Sequence, residues 1–254
     1  MKVPILYMHR VVEIPGDILS WTSAQRSGFL PYVITPCELT ARLDWLTTHG
    51  YTTILPRDLE AYWDDKKPLP GLPVILTFDD GAPDWITTVL PQLRAHGLIA
   101  EFYTTVDHVN GGLSWDDMRT MVAAGMGIGA HDVNHFQLTG PGVPTSSLDT
   151  MRYQVGLAKK VLEAQLGITV DSMAYVGGGF DSTLIGIVRD AGYRSARAIL
   201  RGTLQSPATR FDMHVSRIGV YDDVINKKIA DVMSCNLDPG MPDFQARLSG
   251  TDPG

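Results

Sequence analysis

Asp79 and Asp80 stand side by side at the end of an apolar run, in the stretch ILTFDDGAPDW. Val74-Ile75-Leu76 reads as a buried strand, and Gly81 permits a tight turn after it. Asp-Gly is itself a turn signal, but a turn accounts for one Asp and not for two. Neighbouring strand residues point to opposite faces, so both carboxylates can serve one site only where the strand ends or bends. Further on, GAHDVNH places His131 and His135 four residues apart. On a helical turn that spacing sets both imidazoles on one side. Two imidazoles and one carboxylate form a catalytic zinc set with a position left open for water. The acid pair can supply the carboxylate. Read alone, the histidines are equally two loop or core residues.

Such groups need elements to hold them. Val3 to Met8 and Val74 to Phe78 read as strands. So do Ile99 to Thr104, Gly127 to Ala130, Met173 to Tyr175, Arg194 to Ile199 and His214 to Val220. Helical patterns alternate with them, which predicts β-α units around a mainly parallel sheet or barrel. Thr35-Pro36-Cys37-Glu38 carries the signature of a capping box with Pro at the first helical position. Leu39, Leu43 and Leu46 share one face, and Gly50 stops that helix. Further helices are expected over 57–63, 84–96, 115–124, 146–166 and 182–191, with Pro91 inside the second of these. Residues 16–32 read as a loop. In parallel α/β folds active sites gather at the carboxyl ends of strands, where the acids, the histidines and Tyr175 with its glycines all fall.

With 21 Lys and Arg against 28 Asp and Glu, the formal charge is −7, and no basic stripe interrupts it. Nucleic acid is therefore an unfavoured partner. No apolar run approaches a membrane span, and the first ten residues lack the features of a secretory signal, so the cytoplasm is the expected compartment. Cys37 and Cys235 are too few for a disulfide framework or a thiolate zinc site. Residues 1–237 read as one domain and 238–254, rich in Pro, Gly and Asp, as a flexible tail.

LTFDDG, then HDVNH, then AYVGGGFDS resemble the first three motifs of the NodB-type polysaccharide deacetylases, metal-dependent carbohydrate esterases that remove N-acetyl groups from aminosugar polymers. LSWDDMRTMVAAGMGIGAHDVNH and VRDAGYRSA extend the similarity over most of the chain. The resemblance implies a single distorted (β/α) barrel. It implies Asp80, His131 and His135 as metal ligands and Asp79 as general base. It implies a backbone N–H of Gly177 for the oxyanion, and Arg217, in SRIGV, as partner of the base. The family's usual late His motif is missing. ILYMHRV at the amino end resembles the poly-β-1,6-N-acetylglucosamine deacetylases, in which the last strand has moved to the start of the chain, and this points to His9 as general acid. Zinc is the default ion, with cobalt, nickel or iron also suited to the ligands.

Three features depart from that pattern. Asp132 replaces a Ser or Thr, Val176-Gly177 replaces a Pro-Tyr pair, and Glu101 replaces a Thr. The expected function is metal-dependent removal of an acetyl group from an N-acetylated aminosugar in a saccharide or glycoconjugate. The alternatives are a related C–N hydrolase of non-sugar amides or cyclic imides, and an inactive carbohydrate-binding homologue.

Overall fold

The structure is a computed structural model that describes residues 2–107, 112–217, 226–236 and 242–250. Its strands are β1 (Ile5–Met8), β2 (Arg10–Val11), β3 (Val33–Ile34), β4 (Thr52–Thr53), β5 (Pro73–Asp79), β6 (Glu101–Thr104), β7 (Gly127–Ala130), β8 (Ser172–Ala174), β9 (Ser195–Arg201) and β10 (Met213–Arg217). The helices are α1 (Ser23–Phe29), α2 (Pro36–Thr48), α3 (Pro56–Asp65), α4 (Leu90–Ala95), α5 (Trp115–Ala123), α6 (Leu148–Leu166), α7 (Ser182–Asp190), α8 (Asn226–Met233) and α9 (Pro242–Ser249).

The main sheet runs β1-β10-β9-β8-β7-β6-β5-β4, and β1 pairs with β5 as well, so the sheet closes into a barrel. Its named pairs are all parallel. The amino-terminal strand β1 is the closing stave, in register with both β5 and β10. This is the α/β barrel expected from the sequence. The expected last strand begins at Met213, and its end over 218–220 lies outside the described residues.

Alternation sorts the side chains. Leu6, Met8, Leu76, Phe78 and Phe102 pack outward with Leu39, Leu43 and Leu46 of α2 in the main core. Ile5, Tyr7, Ile75, Met213 and Val215 form a second cluster with Leu59 and Trp63 of α3, which covers the ends where the strands begin. Both predicted bonds of the α2 capping box form, Glu38 N–H to Thr35 Oγ1 at 3.1 Å and Thr35 N–H to Glu38 Oε2 at 2.9 Å.

Several expectations are corrected. Residues 16–32 contain α1, opened by a capping box between Thr22 and Gln25. The helix expected over 84–96 is a π-helix, Trp85–Val89, that passes into α4. The segment expected as a tail contains α9, whose Phe244 and Leu248 are buried in the main core. Cys37 and Cys235 form a disulfide across 198 residues.

Candidate active site

β5 ends at Asp79, and the chain then takes left-handed backbone, with φ +84° at Asp80 and +86° at Gly81. That is the bend both carboxylates require. A side chain at Gly81 would meet Thr104 Oγ1 at 2.7 Å, so the turn admits only glycine without rearrangement. Asp80 bears the cost of a conformation that non-glycine residues rarely adopt, as residues at functional sites do.

HDVNH follows β7 as a turn and not as the helical turn the spacing suggested. Asp132 and His135 both have positive φ. The outcome for the imidazoles is the same. His131 Nε2 lies 3.3 Å and His135 Nε2 3.0 Å from Asp80 Oδ1. One ligand atom from each of the three residues falls within 4.8 Å of the others. His131 Nδ1 is 2.8 Å from the carbonyl of Ala174. Donation there fixes the tautomer and leaves Nε2 with a lone pair aimed at the cluster. Asp80 Oδ1 is buried, and no well-directed hydrogen bond reaches it. Lone pairs facing one point, with a backbone-anchored imidazole among them, are what a divalent cation needs. The residues present fit a metal.

The electrostatics agree. Burial would raise the pKa of Asp80, but the close imidazoles of His131 and His135 hold it well below the usual carboxylate range. Burial alone would lower that of His131, and Asp80 with Asp79 raise it instead. Asp132 is buried and pushed up to about 7 by that burial. It is not one of the converging residues.

Asp79 faces a different set of partners. Its Oδ1 accepts from Nη2 of Arg197, on β9. Its Oδ2 is 4.0 Å from His9 Nε2. Arg197 is fully buried between the rings of Tyr7 and Tyr103, each centroid 5.0 Å from its guanidinium carbon. Gly129 makes room for this arrangement, since a Cβ there would lie 2.4 Å from the Tyr103 ring. Among the described residues, the guanidinium that meets Asp79 is that of Arg197. Arg217 closes β10 opposite Tyr7, and its side chain lies outside the described residues. The missed signal was an arginine inside the otherwise small and apolar stretch SARAIL, a strand candidate, where a charge that becomes buried needs a counter-charge.

Gly177 sits after β8 in a short 3-10 turn at φ +62°. A Cβ there would fall 2.5 Å from Gln137 Oε1. Gln137, two residues past His135, therefore packs where a side chain at position 177 would begin.

Residues 66–196 match the family model for polysaccharide deacetylase. The chain is 24% identical over 227 residues to "Putative polysaccharide deacetylase YxkH" of Bacillus subtilis (strain 168), covering 82% of this chain and 78% of that one. Among solved structures it resembles the Streptococcus pyogenes deacetylase PplD in complex with acetate, at TM-score 0.77 and 20% identity, over 92% of this chain and 98% of that one. It also resembles IcaB from Ammonifex degensii, at TM-score 0.69 and 21% identity, over 91% and 97% of the two chains. The chain belongs to the polysaccharide deacetylase family, with the NodB-type (β/α) barrel.

Proposed function

We propose that the protein hydrolyses the N-acetyl group of an aminosugar within a saccharide or glycoconjugate, and that it does so with a divalent cation held by Asp80, His131 and His135. The observation that carries the reading is the division of labour between adjacent acids: Asp80 faces two imidazoles, and Asp79 faces a guanidinium. When bound, the cation supplies Lewis-acid chemistry, acidifying water and polarising the amide carbonyl. Zinc suits two imidazoles and a carboxylate, as do cobalt, nickel and iron.

Asp79 accepts the proton of the attacking water as oxygen adds to the amide carbon. Arg197 orients that carboxylate. The N–H of Gly177 stabilises the developing oxyanion. An amine leaves only when protonated, and His9 donates that proton. With the C–N bond broken, the products are acetate and the free amine. The placement of β1 between β10 and β5, which brings His9 to the site, supports the organisation of the poly-β-1,6-N-acetylglucosamine deacetylases.

Among the described residues no helix is long and apolar enough to cross a membrane. The Cys37–Cys235 disulfide supports an oxidising compartment, against the cytoplasmic expectation. Acetate release from N-acetylglucosamine oligomers by metal-replete protein tests the function. Turnover of simple amides with none of the oligomers would overturn the sugar assignment.

A further inference from the structure

The residues after Gly81 do more than leave the site. Asp84 and Trp85 open the π-helix five residues past the acid pair, and both side chains turn back to the amino-terminal strand. His9 falls in the gap between β1 and β2 and belongs to neither ladder. Its carbonyl is taken instead by Nε1–H of Trp85, at 3.0 Å. Asp84 accepts from the next two residues, with Oδ2 2.7 Å from the Val11 N–H and Oδ1 2.7 Å from Arg10 Nε. Three consecutive residues are thus held by two consecutive side chains.

The clamp is itself fixed. Trp85 is fully buried, its backbone N–H donates to Ala82 at 3.1 Å, and its indole packs 5.0 Å from the Phe102 ring. Asp84 is buried to a comparable degree. Its two charge-assisted bonds are of the strong kind. One turn of chain therefore sets the acids at its start and the histidine gripped at its end. Proton delivery to a leaving amine is sensitive to displacements of about 1 Å.

We infer that Asp84 and Trp85 are positioning residues for His9, locking the general acid to the turn that carries Asp79 and Asp80. This rests on the assignment of His9 under Proposed function. A residue that only supports the fold would, when changed, slow every reaction of the site alike. A positioning residue for the acid slows the amide, whose leaving group needs a proton, more than an ester whose leaving group departs as an anion.

The test compares Trp85→Phe, which keeps an aromatic ring and removes the donor, with wild type on an N-acetylglucosamine oligomer and on 4-nitrophenyl acetate. The expected result is a loss in kcat of about tenfold on the oligomer, with KM within a factor of about two, and a several-fold smaller loss on the ester. In a His9→Ala background the same substitution should change the oligomer rate less than about twofold. Equal losses on both substrates, or an undiminished loss without His9, would overturn the inference. Asp84→Asn serves the same comparison should Trp85→Phe not fold. A wild type inactive on the oligomer would refute the proposed function and leave the positioning claim to a spectrum. The ring ¹H–¹⁵N resonances of His9 should shift in both variants, and unshifted resonances would overturn the claim.

Discussion

The two ends of the barrel set the same kind of group against different partners. Where the strands end, Asp79 meets Arg197, and Asp80 meets His131 and His135. Where they begin, Glu101 accepts a hydrogen bond from Ser172 Oγ at 2.9 Å and Glu60 from Ser195 Oγ at 2.5 Å. Both glutamates are buried, and that burial pushes Glu101 up to about 8 and Glu60 up to about 7. Arg194 lies 3.6 Å from Glu60, too distant and too exposed to offset it. Desolvation raises Asp80, Glu101 and Glu60 alike; at Asp80 the two imidazoles outweigh it, and at Glu101 and Glu60 a single hydroxyl does not. The contrast also explains Glu101, which had no evident role in the sequence. Its carboxyl lies over Gly127, where a Cβ would fall 1.8 Å from Oε2, and Ser172 satisfies it as a neutral acid.

The largest effect should come from the mouth. Asp79→Asn keeps the shape and removes the proton acceptor, so acetate release should fall by about 10²–10⁴-fold while bound metal is unchanged. A variant that retained wild-type activity would remove Asp79 from the mechanism. Next is the cation behind it. Arg197→Met leaves Asp79 buried without its counter-charge and should cost about 3–5 kcal/mol in chemical denaturation. Arg217→Ala, measured beside it, should lose far less activity. The reverse order would return the role to Arg217.

Opening the Cys37–Cys235 loop with Cys37→Ser should cost about 2–4 kcal/mol, and an unchanged denaturation midpoint would show that the bridge does not form. The smallest effect sharpens the comparison at the other end. For an acid whose folded pKa is raised, the unfolded chain releases its proton first. Stability is therefore highest below about 4.5 and falls as pH rises, until the folded group titrates near 8 for Glu101 and near 7 for Glu60. Glu101→Gln should match wild type at pH 4 and exceed it by about 1–3 kcal/mol at pH 9. A variant less stable than wild type at pH 9 would mean that the carboxyl is charged and paired.

Much of this was readable in advance, for identifiable reasons. Val74 to Phe78 could only be a buried strand, and two acids closing it needed a site. The α2 cap carried its full signature. Other features lacked a local signal or had one that was passed over. Cysteines 198 residues apart give no sign of pairing. Helix α9 follows Pro and Gly and is stabilised by Phe244 packing on Trp45, ring centroids 5.6 Å apart, a tertiary contact invisible to composition. Helix α1 did announce itself, through Thr22 and Gln25 three residues apart. Trp85 is fully buried, and nothing in the sequence shows that its N–H is committed to the His9 carbonyl. The four-residue spacing of His131 and His135 suggested a helical turn, and left-handed backbone at Asp132 and His135 achieved the convergence instead.

Zinc titrated into chelator-stripped protein, followed by calorimetry, separates the roles of the two acids. One ion per chain should bind to wild type and to Asp79→Asn alike, and binding should be lost in Asp80→Ala and His131→Ala. Binding that survived Asp80→Ala, or that vanished with Asp79→Asn, would contradict the division of the two acids.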